Sequence, residues 1–260
     1  MAKIIVLGAM KGGVGKSVST YNLAYSLNKL GKKVLVVDFD SSANITRCVV
    51  EDIKTVEISI GDLMMNQMDE EEQPNPAEYI INRNGVDFIP SSKVLSAVDA
   101  KLRLEMGAEK ILACILEPFR EEYDYILIDT CPSLNTLTIN ALSAADEVII
   151  AANPQFWAMV GLEDFLLTVK KIKNRVNSKL DVSGILLTMC EERTNLCKVI
   201  TEEVSVTFNG KLRIFDSKIP STVKVGESVY YGEPLLEYAP RTKACRMYQN
   251  LAKELIADEG

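Results

Sequence analysis

The sequence predicts one doubly wound α/β domain, a mostly parallel sheet flanked by helices, over residues 1–260. Three observations carry that expectation. Apolar runs without polar alternation, Ile4-Ile5-Val6-Leu7, Val34-Leu35-Val36-Val37 and Ile126-Leu127-Ile128, read as strands buried on both faces, as parallel sheets require. Between the first two, Tyr21, Leu23, Ala24, Leu27 and Leu30 recur at helical spacing and stop at Gly31. Two of the runs end in aspartate, at Asp38 and Asp129. A strand–helix–strand unit crosses over right-handedly, and such sheets gather reactive groups at the carboxyl ends of their strands.

The first of those ends is the most informative stretch. Met10-Lys11-Gly12-Gly13-Val14-Gly15-Lys16-Ser17 follows strand 1 and opens a helix, the context a phosphate-binding loop requires. Its glycines let backbone N–H groups converge on one point, and the helix start adds its positive dipole end. Lys16 brings a full charge to the β/γ-phosphates, and Ser17 offers a hydroxyl to Mg²⁺. The ordinary loop carries glycine at the place of Met10; here a second lysine, Lys11, precedes the glycine pair.

Val34–Val37 runs into Asp38-Phe39-Asp40. A Rossmann reading of Asp38 as a ribose-binding acid fails, because the loop offers Gly-Lys-Ser and not G-x-G-x-x-G. Asp40, close to the phosphates, needs a cation or a proton between, which Mg²⁺ supplies. Tyr125-Ile126-Leu127-Ile128-Asp129 is a buried strand running into an acid, the Walker B pattern that orients Mg²⁺-bound water.

Further strands are expected at Val86–Ile89, Val148–Ala152 and Gly184–Met189, about seven in all, with helices over Gly161–Val176 and Tyr248–Ala257. Pro90-Ser91-Ser92 leads into a helix capped by serine. Residues 51–85 show no clear period, and the acidic Asp69–Glu72 stretch reads as a solvated excursion. Lys170, Lys171, Lys173 and Arg175 read either as a solvated helix face or as a surface for DNA phosphates.

Composition removes several function classes. With no histidine, neither a Ser-His-Asp nor a Cys-His mechanism is available. The six cysteines form no C-x-x-C pair and read as buried free thiols. A net charge of −7 argues against a generally basic nucleic-acid binder while leaving room for a local patch. No apolar run reaches a membrane span, and no leader precedes strand 1, so a cytoplasmic protein is expected.

The KGGVGKS form of the loop resembles that of the ParA/MinD family of P-loop ATPases, and further motifs extend the likeness along nearly the whole chain. Asp38–Asn44 is similar to the family's D-x-D-P-Q-x-N, with Ser41-Ser42 for Pro-Gln; Cys131 stands where a second proline is usual. The Ile-Pro-Ser segment, the arginine loop at Glu191–Asn195 and Ile219-Pro220 are also shared. The likeness is strongest to the short, Soj-like ParA type without an N-terminal helix-turn-helix extension.

The resemblance implies that residues Lys11 to Val18 hold ATP, that Met189 and Pro220 pack near the adenine, and that Ser17, Asp40 and Asp129 serve Mg²⁺. It implies Lys11, Lys16 and Asp40 as catalytic, Lys11 reaching the nucleotide of a partner subunit and Asp40 positioning the attacking water. It implies a homodimer closed by ATP, gripping nonspecific DNA on a nucleoid and released when a ParB-type partner stimulates slow hydrolysis. Arg193 and Lys224 then join Lys170, Lys171 and Lys173 as DNA candidates, while Ser221 replaces a DNA-associated arginine. A MinD-like membrane ATPase would need a basic amphipathic tail, yet this chain ends Ala257-Asp258-Glu259-Gly260. A nucleotide-gated scaffold stays open beside it. An iron–sulfur component would need cysteines in the family's cluster-ligand context, where none stands.

Overall fold

The computed structural model describes residues 1–9, 11–154, 158–191, 199, 202–204, 206–207 and 212–258. The first half comprises β1 (Lys3–Gly8), α1 (Lys16–Lys29), β2 (Val34–Phe39), α2 (Thr46–Val49), α3 (Ile60–Met68), β3 (Ile81–Arg83), β4 (Val86–Ile89) and α4 (Val94–Leu102). Then come α5 (Ile111–Leu116), β5 (Tyr125–Thr130), α6 (Thr136–Ala144), β6 (Glu147–Ala152), α7 (Ala158–Arg175) and β7 (Asp181–Leu187). The described C-terminal part adds α8 (Val223–Tyr230), α9 (Leu235–Tyr238) and α10 (Lys243–Ala257).

The seven strands form one sheet in the order β3-β4-β2-β5-β1-β6-β7. All neighbours are parallel except β3, which pairs antiparallel with β4 at the edge. The mostly parallel, doubly wound sheet expected from the sequence is thus the one observed. Its alternation assigns each side chain to a layer. Ile4 and Val6, Leu35 and Val37, Ile126 and Ile128 face a core shared with α3 to α7. Ile5 and Leu7, Val34 and Val36, Tyr125 and Leu127 face the opposite core with α1 and α10. Each fully buried aliphatic side chain contributes about 1.5–3 kcal/mol, so the uninterrupted apolar runs commit these strands to the centre.

Residues 51–85, without a clear period in the sequence, contain α3 and β3. The capping box of α3, Ser59 with Asp62, holds that helix start, and β3 is too short to show alternation. The last helix starts at Lys243, earlier than the apolar spacing suggested, because Thr242 caps it by accepting from the Cys245 N–H at 3.3 Å. Cys48, Cys190 and Cys245 are buried, as expected of free thiols, but Cys114 is exposed. Cys131 is half-buried among polar groups and does not pack as an apolar thiol: its Sγ lies 3.3 Å from Asn135 Oδ1 and 3.4 Å from Ser133 Oγ. Cys197 lies outside the described residues. No helix among the described residues is long and apolar enough to cross a membrane.

At Gly8, the last residue of β1, Phe165 of α7 packs directly against the strand backbone. A Cβ there would lie 2.3 Å from Cζ of Phe165, whose ring is buried. Gly8→Ala is expected to cost about 1–3 kcal/mol by overpacking. Thermal denaturation checks this, and Phe165→Leu in the same chain should recover much of the loss.

Candidate functional site

The site is built at the carboxyl ends of β1, β2, β5 and β7. Between Gly8 and α1 the chain turns through Gly13 at φ 74° and Gly15 at φ 78°, left-handed backbone that costs other residues about 1–2 kcal/mol. Nothing lies within 4 Å of a Cβ at Gly13, so conformation and not crowding demands glycine there. Gly15 is also the N-cap of α1 and supplies no side chain to it, which leaves the first N–H groups of the helix open to an anion. Lys16 is buried in the first turn and Ser17 half-buried beside it. The loop is tied from behind by Thr188, just past β7, whose hydroxyl donates to the Val14 carbonyl at 2.7 Å. Sequence reasoning missed Thr188, because its partner is 174 residues away.

Sheet register assembles the carboxylates. Asp129 pairs across the sheet with Leu7 on one side and with Asp38 on the other. By alternation both acids fall in the same layer as Leu7, the α1 layer that carries Lys16 and Ser17. Asp38 is satisfied on one oxygen by the Thr46 N–H at 2.8 Å and hydroxyl at 2.6 Å; its other oxygen is buried without a partner. Asp129 is fully buried, and neither oxygen has a partner at ordinary hydrogen-bond geometry, although the Ser17 side chain lies close enough to favour its charged form. Burial, and then the negative charge of Asp38, pushes Asp129 up to about 7, against the opposing effects of Lys16 and of the Ser17 side chain. Burial likewise pushes Asp38 up to about 6, although Thr46 holds it down in part. Asp40 is buried just beyond β2, with Oδ1 accepting from the Ser42 N–H at 2.9 Å.

Uncompensated carboxylate oxygens beside a buried lysine and a serine hydroxyl fit a hard divalent cation, which takes oxygen ligands directly or through water. Ser17, Asp40 and Asp129 would serve it, as the sequence suggested.

Two cavities meet over this loop. One, of about 520 Å³, is lined by Gly12, Gly13, Lys16, Ser17 and Asp40, and reaches Tyr21, Arg47 and Tyr230. The other, of about 490 Å³, is lined by Met189, Ile219, Pro220 and Thr222. Gly15, Val18 and Val229 border both, so a phosphate chain and an apolar ring can be held side by side. The second wall exists because Cys190 and Pro220 form a parallel bridge, with the Cys190 N–H on the Ile219 carbonyl at 2.9 Å. Arg47 and Tyr230 were not singled out from the sequence; neither stands in a recognisable motif.

The structure does not bring the DNA candidates together. Lys224, on α8 beside the second cavity, is paired with Glu227 at 2.7 Å. Lys170 and Lys171 are exposed on the last turns of α7, and Lys173 pairs with Asp181 at 3.0 Å, at the start of β7 and hence at the opposite end of the sheet from the loop. Arg193 lies outside the described residues. Lys11 is exposed, and among the described residues no hydrogen bond or ion pair engages its amine. Helix α10 buries Tyr248, Leu251 and Leu255 against the body of the protein, so its apolar stripe is already covered.

The family model described as an AAA domain matches residues 2–182. The sporulation initiation inhibitor protein Soj of Bacillus subtilis is 36% identical over 99% of this chain and 100% of its own. The chromosome partitioning protein ParA of Myxococcus xanthus is 32% identical, covering 98% of this chain and 88% of its own. Among solved structures, a candidate plasmid partition protein of Borrelia burgdorferi bound to AMPPNP superposes with a TM-score of 0.80 at 27% identity, over 99% of this chain and 100% of that one. Likeness along the full length, together with a phosphate loop facing strand-end carboxylates, means that the chain belongs to the ParA/Soj family of P-loop partition ATPases.

Proposed function

We propose that this protein is an ATP-dependent dimerisation switch with slow, partner-stimulated ATPase activity, serving plasmid or chromosome partition on a nucleoid in the cytoplasm. The observation that carries the reading is the pair of unpartnered Asp129 oxygens, held by sheet register beside Lys16, Ser17 and an uncapped helix start. ATP is the substrate, its phosphates on the loop amides and its base against Met189 and Pro220; AMPPNP, bound by the Borrelia relative, is an analogue of it. Mg²⁺, when bound, neutralises the β- and γ-oxygens. Lys16 holds charge at the same oxygens, Asp40 orients the attacking water, and Asp129 would orient water bound to the cation. Lys11, exposed and engaged by no described residue, acts on the nucleotide of a second copy.

On this reading the closed homodimer binds nonspecific duplex DNA, and a ParB-type protein triggers hydrolysis and release. Binding to such DNA with ATP, with ADP and without nucleotide, over a salt series, tests it. The expected result is binding with ATP alone that weakens about 10³-fold between 50 and 200 mM salt, as roughly six phosphate contacts imply. ATP-driven dimers that bind no DNA at any salt would remove DNA from the proposal and leave the switch, with a protein surface as its template.

A further inference from the structure

The loop that carries Asp40 is held by a buried circuit of side chains reaching it from the end of β4. β2 and β4 pair as far as Val37 and Ile89, and beyond that row side-chain hydrogen bonds take over. The Ser91 N–H donates to Thr46 Oγ1 at 2.8 Å, and the Thr46 hydroxyl donates to Asp38 Oδ2 at 2.6 Å. The Ser91 hydroxyl donates to the Asp40 carbonyl at 2.7 Å. Ser91 and Thr46 are both fully buried, and each hydroxyl has one proton and one place for it.

We propose that Ser91 is a positioning residue for phosphoryl transfer, fixing the Asp40 carboxylate over the phosphate loop through the Asp40 carbonyl and Thr46. This rests on the reading of Asp40 as the residue that orients water. Two further contacts complete the device. The Asp40 carbonyl also accepts the Ala43 N–H at 2.9 Å, across a turn in which Ala43 adopts φ 51°. Asp40 Oδ1 accepts the Ser42 N–H, so one carboxylate oxygen is tied down and the other is left for the cavity. With backbone and side chain both anchored, the free oxygen has a single direction. Loss of the Ser91 hydroxyl leaves the carbonyl held by the Ala43 N–H alone, while the β2–β4 ladder stays intact.

The adjacent serine makes an internal comparison. The Ser92 hydroxyl pairs with that of Ser59 at 2.8 Å, at the start of α3, and forms no hydrogen bond with the Asp40 loop among the described residues.

The test is single-turnover phosphate release from preformed ATP complexes, with ATP affinity measured separately. Ser91→Ala is expected to lower kcat about 10–100-fold, as a misplaced catalytic group does, with ATP affinity within about threefold of wild type. Ser92→Ala should keep kcat within about twofold. Thr46→Val, which cannot accept the Ser91 N–H, should fall as Ser91→Ala does, and Thr46→Ser should recover most of the rate. Wild-type kcat in Ser91→Ala would overturn the proposal. So would a loss of ATP affinity matching the loss of rate, or Thr46→Ser falling as far as Thr46→Val. If Ser91→Ala does not fold, the Thr46 pair decides. Asp40→Ala run alongside separates the two readings: an active Asp40→Ala means Asp40 does not orient water, whereas an inactive one beside a fully active Ser91→Ala refutes the role of Ser91 alone.

Discussion

Lys11→Ala is expected to bind ATP almost normally and to lose about 10³-fold or more of its turnover, the scale of a charge supplied in trans to a transferring phosphoryl group. The asymmetry follows from where the two lysines sit. Lys16 is buried in the first turn of α1, on the phosphate side of the loop, and continues to hold the nucleotide in the variant. Lys11 is exposed and engaged by no described residue, so its removal disturbs neither fold nor loop. A subunit-mixing experiment decides where it acts. In a mixed dimer of Lys11→Ala and Asp40→Ala chains, the site on the first chain keeps its own Asp40 and borrows Lys11 from the second. Mixing two inactive proteins should therefore restore about a quarter of the wild-type rate, for random pairing across a symmetric interface. No restoration would mean that Lys11 serves its own nucleotide.

Asp129→Asn is expected to make the nucleotide-free protein more stable at pH 8 while abolishing its stabilisation by ATP with Mg²⁺. The ordinary carboxyl value is 3.8, and the folded protein pushes Asp129 up to about 7 and Asp38 up to about 6. Folding therefore favours the protonated forms. The penalty for charging them is absent below about pH 4, grows as pH rises, and is complete above about pH 7. Removing one of the two charges should recover on the order of 1–4 kcal/mol at pH 8, or roughly 2–10 °C in Tm. At pH 4 the variant should show no such gain. Wild type should in turn gain about 2.7 kcal/mol from ATP and Mg²⁺ at a hundred times their dissociation constant, and the variant almost nothing. Thermal unfolding at the two pH values, with and without ATP and Mg²⁺, reads all of this. A variant no more stable than wild type at pH 8 would mean that Asp129 is not held at the cost its burial implies.

Such a cost is informative about function. A buried acid without full partners destabilises the fold, and Lys16 and Ser17 beside Asp129 offset that cost only in part. On the proposed function, its partner is the cation that arrives with the substrate.

The sequence by itself determined the parts of this protein whose physics is local. Apolar runs such as Val34–Val37 can be satisfied only in the middle of a sheet, so the parallel core was legible. Gly13, Gly15 and Lys16 between a strand and a helix were legible because left-handed turns, an open helix start and a phosphate charge each demand a particular residue type. Asp129 was legible as an acid ending an apolar run. The tertiary structure alone decided what depends on residues far apart in the chain meeting at a register. It set Asp38 beside Asp129, brought Thr188 to the back of the loop across 174 residues, and joined Ser91 to Asp40 across 51. It also separated Lys224, a DNA candidate from the family resemblance, from Lys170 and Lys171, by ending α7 at the far edge of the strands from the site. Propensity and spacing act over a few residues, whereas a buried hydroxyl or carboxylate acquires its role from the partner that the fold puts opposite it.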